Sequence, residues 1–495
     1  MKSHYGGDSP IAAFATTPGS SALTLIRCSG SGAIDLAAAV FAGEKIKNAA
    51  GNTVIHGWIV SPNDKSKIDE ALVSVFRAPK SYTGEDSLDI CCHGGPSAGK
   101  AVMEVLKTAG FKDALPGEFT FRAFMNGKMD LTRSESVMEL VCAKTETGRR
   151  HAAARLSGAL EKEINAVKKM LVEVLSGAEI YLDYDEDEIE AEADEIAGKL
   201  PRQETALTAL ALLKKLAASW QYERIYQEGA SVVIAGRPNA GKSSLFNLLL
   251  KEDRSIVTET PGTTRDWIEA WISVEGIPIR LIDTAGLRES ADQIEQAGIE
   301  RTRKLLREAD VVLYLIDGER GRGVDSGQWA VDSEERGVGS GQWAVKRELG
   351  VEGGDRITEG SGISGRVIGL WNKCDLVPLP AEFLFAGNRA IGVSAKTGEG
   401  LAQVCAAIAE AVRGAAQTAA DDVQTAALGS ARQKRLVDAA AASLEEALSL
   451  AAGQEPLDLI APLLREAVNA LGEITGEVST ADILEEMFSN FCVGK

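Results

Sequence analysis

Basic charge is scarce in this 495-residue chain: 53 Lys and Arg stand against 72 Asp and Glu, a formal charge of −19. Neutralising nucleic-acid phosphates over a broad surface needs clustered Lys and Arg, so wrapping of that kind is excluded. Any such polyanion must be met locally or with a second protein's help. Cysteine is sparse too. The seven thiols fall as singletons apart from Cys91-Cys92, which excludes a disulfide framework or a zinc knuckle and leaves reduced thiols. No run of about 18 uncharged apolar residues occurs, and the amino terminus lacks a basic-then-apolar leader pattern, so a cytoplasmic protein with no membrane partner is expected.

What is present suits an ordinary globular protein, with 45% apolar and 25% charged residues, and the length predicts about three domains. Residues 1–117 read as a mixed α/β module, in which alternating runs such as Leu23-Thr24-Leu25-Ile26 and Ala71-Leu72-Val73-Ser74-Val75 lie between Gly, Pro and Asn turns. Residues 118–229 carry Ala, Leu, Glu and Lys at helical spacing, as do residues 416–495. Between them, residues 230–415 return to β-branched runs alternating with helices, the pattern of a doubly wound parallel sheet. An inserted α/β domain is therefore expected, its helical flanks packing together as one bundle.

Two stretches stand apart. Within residues 318–365, Arg322-Gly323-Val324-Asp325-Ser326-Gly327-Gln328-Trp329-Ala330-Val331 recurs with one change from Arg336 to Val345. Two Gly- and Ser-rich copies are too few for a solenoid and predict a duplication in a disordered surface loop. The run from Asp183 to Glu195 holds nine acids and reads as a solvated helix start or linker.

The chemistry lies in the middle third. Gly236-Arg237-Pro238-Asn239-Ala240-Gly241-Lys242-Ser243, followed by Ser244, joins the strand-like Ser231-Val232-Val233-Ile234-Ala235 to a helical run. This is a phosphate-cradling P-loop in its required context: glycines turn backbone N–H groups inward, and the helix terminus adds a favourable dipole. Lys242 is expected on the β- and γ-phosphates and Ser243 on Mg²⁺. Strand-like residues 277–282 lead into Asp283-Thr284-Ala285-Gly286, the place of a Mg²⁺-associated carboxylate and a γ-phosphate-sensing amide; Thr264 is the expected switch threonine. Asn372-Lys373-Cys374-Asp375 supplies a carboxylate for the two N–H groups of the guanine edge, which adenine lacks, and Ser394-Ala395-Lys396 completes the base pocket. The expected ligand is GTP with Mg²⁺, in a Ras-like domain. Leu287 occupies the place where Ras-type enzymes carry the glutamine that orients water, so something else must supply catalysis.

Asn239, with the loop Thr258-Glu259-Thr260-Pro261-Gly262-Thr263, resembles the potassium-dependent GTPases. There the Asn side chain and the loop, here Thr258, Thr260 and Thr263, hold K⁺ beside the phosphates, where it neutralises developing charge, and paired GTPase domains form the active state. By motif position Glu295 would orient the attacking water indirectly; an ordinary surface acid at a helix start is the other reading.

Outside that domain the chain carries Leu25-Ile26-Arg27-Cys28-Ser29-Gly30, Ser81-Tyr82-Thr83-Gly84-Glu85-Asp86, His93-Gly94-Gly95-Pro96, Pro116-Gly117-Glu118-Phe119-Thr120, Arg122 to Leu131 and the ending Phe491-Cys492-Val493-Gly494-Lys495. With these it resembles the MnmE (TrmE) family of tRNA-modification GTPases over nearly its whole length except 318–365. The resemblance implies an amino-terminal folate-binding-like and dimerising domain, with Arg27, Asp89, Lys128 and Lys495 lining a site for a 5-formyl or methylene tetrahydrofolate. Asp89 stands where the family commonly has Glu, and Pro18-Gly19-Ser20-Ser21-Ala22 where it often has Pro-Gly-Arg-Gly-Gly. It further implies a homodimer that joins an MnmG-type partner in a heterotetramer and modifies carbon 5 of the wobble uridine of certain tRNAs. The resemblance also implies that FAD and NADH act on the partner's side. Cys492 is a candidate nucleophile or a merely neighbouring thiol. His93 reads as a structural turn histidine or a proton shuttle. A regulatory GTPase of ribosome assembly would share the nucleotide motifs but neither the folate-like module nor the Phe-Cys-Val-Gly-Lys end.

Overall fold

The computed structural model describes the chain apart from residues 1–4, 6, 8, 18, 43–45, 184–199, 252–267, 284–303, 320–365, 382, 386–387, 415–426, 479–480 and 495. It divides into two compact units. The first comprises Met1–Val141, Ala153–Lys214 and Ser430–Lys495, the second Cys142–Ala152 and Lys215–Gly429.

In the first unit, β1 (Ile11–Phe14), β2 (Leu23–Ser29), β3 (Phe41–Ala42), β4 (Thr53–Val60), β5 (Lys67–Phe76), β6 (Ser87–His93) and β7 (Lys112–Asp113) form one sheet in the order β3-β4-β5-β6-β2-β1-β7. Neighbours are antiparallel except β1 and β7. Period-two alternation explains its sidedness. Ile26 and Cys28 of β2, Val73 and Val75 of β5 and Leu88 and Ile90 of β6 are buried in a core shared with α1 (Ala33–Ala39) and α2 (Pro96–Ala109). Their neighbours Arg27, Ser74 and Asp89 belong to the opposite face and are only half-buried. Register then matters: β2 and β6 set Arg27 directly across from Asp89. Helices α3 (Glu118–Met125), α4 (Leu131–Cys142) and α6 (Ala159–Asp183) follow, while α5 (Glu146–Leu156) lies mostly in the second unit's segment Cys142–Ala152.

After α7 (Gln203–Glu228), the second unit has β8 (Ala230–Gly236), α8 (Lys242–Lys251), β9 (Ile268–Val274), β10 (Ile277–Asp283), β11 (Val311–Asp317), β12 (Arg366–Asn372), the short pair β13 (Leu384–Phe385) and β14 (Asn388–Arg389), β15 (Ile391–Val393) and α9 (Leu401–Gly414). Its six-stranded sheet runs β15-β12-β11-β8-β10-β9, parallel except for the edge strand β9. The unbroken apolar run of β8 is explained by burial on both faces: Val232 and Ile234 enter one core, Val233 and Ala235 the other. Because β8 lies between β10 and β11, the loop after it opens where the strand order reverses, the place where doubly wound sheets bind ligands. Trp371 of β12 is 1% exposed, and its indole N–H donates to Val377 O at 2.9 Å. Replacing it with Ala would cost about 3–5 kcal/mol and loosen the strand behind the base loop.

The chain then returns to the first unit as α10 (Ala431–Ala452), α11 (Leu457–Thr475) and α12 (Ala481–Ser489). Leu436, Val437, Ala440, Leu444, Ala447 and Ala451 form the buried stripe of α10 at helical spacing. Helix α11 packs on α10 and on α6, whose Ile164, Val167, Leu171 and Ala178 are fully buried. Buried charge fixes the start of α10. Ser430 caps it by accepting Gln433 N–H, and Glu135 of α4 accepts from Arg432, Ser430 and Gln433.

Candidate nucleotide-binding site

The loop between β8 and α8 can be shaped only by particular residues. Gly236 has φ 137° and Gly241 φ 96°, and a Cβ on either would meet Leu315 O at 2.4 Å or Asn372 Nδ2 at 2.2 Å. Asn239 adopts a left-handed φ of 65°, a region Asn tolerates better than most residues, and its side chain is exposed at the mouth of the loop. Lys242, 8% exposed, donates through Nζ to Gly236 O at 2.9 Å and Arg237 O at 3.0 Å, so its ammonium lies over the centre of the loop. Ser243 Oγ donates to Oδ2 of the fully buried Asp283 at 2.9 Å. A hydroxyl beside a carboxylate is a hard oxygen pair of the kind Mg²⁺ takes, and both stand where the loop's amides gather phosphates. Ser244 is exposed on the first turn of α8.

The base side is tied to the same loop. Asn372, 2% exposed, donates through Nδ2 to Ala240 O at 2.7 Å and accepts Ala395 N–H on Oδ1 at 3.1 Å, so one side chain joins the P-loop, the end of β12 and the turn after β15. Cys374 N–H donates to Val393 O, and the Ser394 hydroxyl accepts Thr397 N–H. Lys373 has φ 64° and pairs with Asp317 and Glu319, chiefly Glu319, which hold its pKa above the usual lysine value. Burial, helped by the carboxylates of Glu399 and Asp375, pushes the Cys374 thiol up, which keeps it protonated and uncharged. Asp375 and Lys396 are exposed and available to a ligand.

In the first unit, Arg27 Nε donates to Asp89 Oδ1 at 3.1 Å, and its guanidinium lies 5.5 Å from the centroid of Tyr82. Burial raises the Tyr82 phenol, which shares a 2.9 Å hydrogen bond with Thr120. Lys128 Nζ donates to Pro79 O at 2.9 Å, and its stem reaches within 3.4 Å of where a Gly84 Cβ would lie. The loop 79–84 thus meets Lys128 at both ends, at Pro79 and Gly84, and Arg27 at Tyr82 between them. Beneath it, Ser29 Oγ contacts Thr83, Glu85 and Ser87 within 3.0 Å, and the buried Arg122 bridges Glu85 and Glu118. Cys492 is exposed with Sγ 4.0 Å from Met138 Sδ, while its carbonyl accepts Gly117 N–H. His93 ends β6 and is no free turn residue: Asp69 accepts its backbone N–H at 2.9 Å and lies 2.7 Å from its ring Nδ1.

Comparison with known proteins places the chain in a family. A family model described as the MnmE helical domain matches residues 131–492, and one described as the GTP-binding protein TrmE N-terminus matches residues 10–128. The tRNA modification GTPase MnmE of Treponema denticola is 41% identical over 499 residues, covering 99% of this chain and 99% of that protein. The chain belongs to the MnmE family of tRNA modification GTPases. The Thermus thermophilus MnmE is 37% identical, covering 98% of this chain and 99% of its own length. Among solved structures, the Era protein of Aquifex aeolicus is 24% identical, covering 37% of this chain and 56% of that one, with a TM-score of 0.24. As an MnmE-family member the chain is a GTP hydrolase acting in tRNA modification.

Several residues expected in an MnmE-type site lie outside the described ones: Thr258, Glu259, Thr260, Pro261, Gly262, Thr263 and Thr264, then Thr284, Ala285, Gly286, Glu295 and Lys495. The described nucleotide residues all sit at the carboxyl ends of β8, β10, β12 and β15 or just beyond. The sequence assigns no role to Tyr82, Asp317 or Glu319, which the structure sets against Arg27 and Lys373. Tyr82 stood inside a quoted motif, whereas nothing in the spacing signalled the acids. No helix among the described residues is long and apolar enough to cross a membrane.

Proposed function

We propose that this GTPase is stimulated by potassium and, as a homodimer with an MnmG-type flavoprotein, adds an aminomethyl-type group to carbon 5 of the wobble uridine of certain tRNAs, with a tetrahydrofolate as one-carbon donor. The observation that carries the reading is Asn239, left-handed and exposed at the rim of a P-loop whose lysine and serine are already in place. There its side-chain oxygen can share a monovalent cation with the carbonyls of residues 258–263. Such a cation supplies the positive charge that an arginine finger gives elsewhere. Ser243 and Asp283 would hold Mg²⁺, Lys242 would face the β- and γ-phosphates, and Thr264 would close on the γ-phosphate side. Asp375 would accept the guanine N–H pair, and Glu295 would orient water.

For the folate, Arg27 and Lys128 offer cationic donors suited to glutamate carboxylates, and Asp89 an acceptor for pterin N–H groups. The Arg27–Asp89 pair with Tyr82 beside it fits a flat heterocycle with one polar edge. The test is steady-state GTP hydrolysis in KCl and in NaCl at matched ionic strength, with Asn239→Ala as control. Strong stimulation by KCl that the variant loses supports the reading. Equal rates in both salts overturn the potassium mechanism.

A further inference from the structure

Lys373 carries its left-handed backbone with a full side chain, a conformation that persists only where the surroundings hold it. Those surroundings come from the end of β11. Lys373 Nζ lies 3.1 Å from Asp317 Oδ1 and 2.5 Å from Glu319 Oε2. The turn bearing both acids is tied to the base loop by its main chain as well, since Gly318 N–H donates to Asn372 O at 3.1 Å; within the turn, Glu319 N–H donates to Asp317 Oδ1 at 3.1 Å. A Cβ on Gly318 would come within 2.6 Å of Trp371 Nε1 and 2.8 Å of Asn372 O, so only glycine lets the two segments lie this close. Residues 317–319 and 371–373 are thus stapled through backbone and side chain together. Glu319 is also the last described residue before the stretch that carries the duplicated repeat.

We propose that Glu319 is a positioning residue for guanine-nucleotide binding, holding Lys373, and with it the turn that presents Asp375, in the conformation the base requires. The proposal rests on Asp375 being the base acceptor. Without the Glu319 carboxylate, Lys373 keeps Asp317 alone, and a strained backbone loses part of its tether. Opening then occurs on the base side of the pocket. Lys242 and Ser243 stand at the start of α8 and Asp283 at the end of β10, so the effect falls on nucleotide retention and KM and leaves kcat to them.

The experiment uses the full chain and stopped-flow release of a fluorescent (N-methylanthraniloyl) GDP, with KM and kcat for GTP measured alongside. Glu319→Gln is expected to release the probe about three- to fivefold faster, the size expected for a partly exposed ion pair, with KM rising in step. Glu319→Asp should recover most of the difference. Release from Glu319→Gln at the wild-type rate, or a fall in kcat at constant KM, would overturn the proposal. Asp375→Asn separates the two possible failures. If it too releases the probe normally, the base assignment is wrong and the proposal falls with it; if it releases quickly while Glu319→Gln does not, only the role of Glu319 falls.

Discussion

Replacing Asn372 with Ala tests whether the phosphate and base halves of the site depend on one side chain. The amide makes two hydrogen bonds, to Ala240 O at 2.7 Å and from Ala395 N–H at 3.1 Å, and is 2% exposed. Ala240 is buried, so its carbonyl would lose its donor where water cannot readily replace it, at about 1–3 kcal/mol. Ala395 is half-buried, and the loss there is nearer the net value of about 1 kcal/mol for an ordinary hydrogen bond. Together they amount to about 2–4 kcal/mol, which falls on binding because nucleotide needs both loops in place at once. GDP affinity should therefore weaken on the order of 30- to 1000-fold. Titration calorimetry of GDP into the full chain reads it directly, with a thermal melt to show that the variant is folded. Affinity within threefold of wild type would refute the idea that Asn372 couples the loops.

Gly241→Ala should abolish nucleotide binding in the same assay, since φ 96° and an approach of 2.2 Å to Asn372 Nδ2 leave no room for a Cβ; retained binding would show that the loop relaxes. Glu135→Ala removes a buried acceptor from Arg432, whose side chain is 12% exposed, and should destabilise the first unit by about 3–5 kcal/mol. Differential scanning calorimetry checks it, a loss below 1 kcal/mol being the contrary result. His93 is held by Asp69, whose hydrogen bond and charge raise its pKa above the ordinary 6.5. Its contribution to stability is therefore complete below about 6.5 and fades as pH rises through the folded value. The difference in melting temperature between wild type and Asp69→Asn should shrink as pH rises above about 6.5, and NMR titration should show the His93 pKa falling in the variant.

The nucleotide site was legible because its chemistry fixes its spacing. A backbone cradle for phosphate needs Gly236, Gly241 and Lys242 at set intervals between a strand and a helix, and the strand order then places Asp283 and Asn372 beside them. Helical and strand segments were legible from periodicity, as in β8 and α10. Less was visible where contacts join distant segments with no motif at either end. Glu135 and Arg432 lie almost three hundred residues apart, and each alone looks like a surface charge. His93 sits in a Gly-Gly-Pro context that suggests a turn, and only the sheet brings Asp69 of β5 to its ring. Arg27 and Asp89 could be named by resemblance, but their direct pairing follows from the register of β2 and β6.

The stapled turn at Gly318 also bears on how such a chain tolerates lengthening. Strands β11 and β12 are parallel neighbours, so Asp317 at the end of one and Arg366 at the start of the other stand at opposite ends of the paired strands. At one end Gly318 N–H is already bonded to Asn372 O, and at the other Arg366 N–H is bonded to Asp310 O. The two anchors flank residues 320–365. Doubling a flexible connection between fixed ends costs only about 0.6 kcal/mol in chain entropy. The length of chain joining two such anchors can therefore change while β11–β12 register and the base loop stay as they are, because each anchor is closed by its own hydrogen bond.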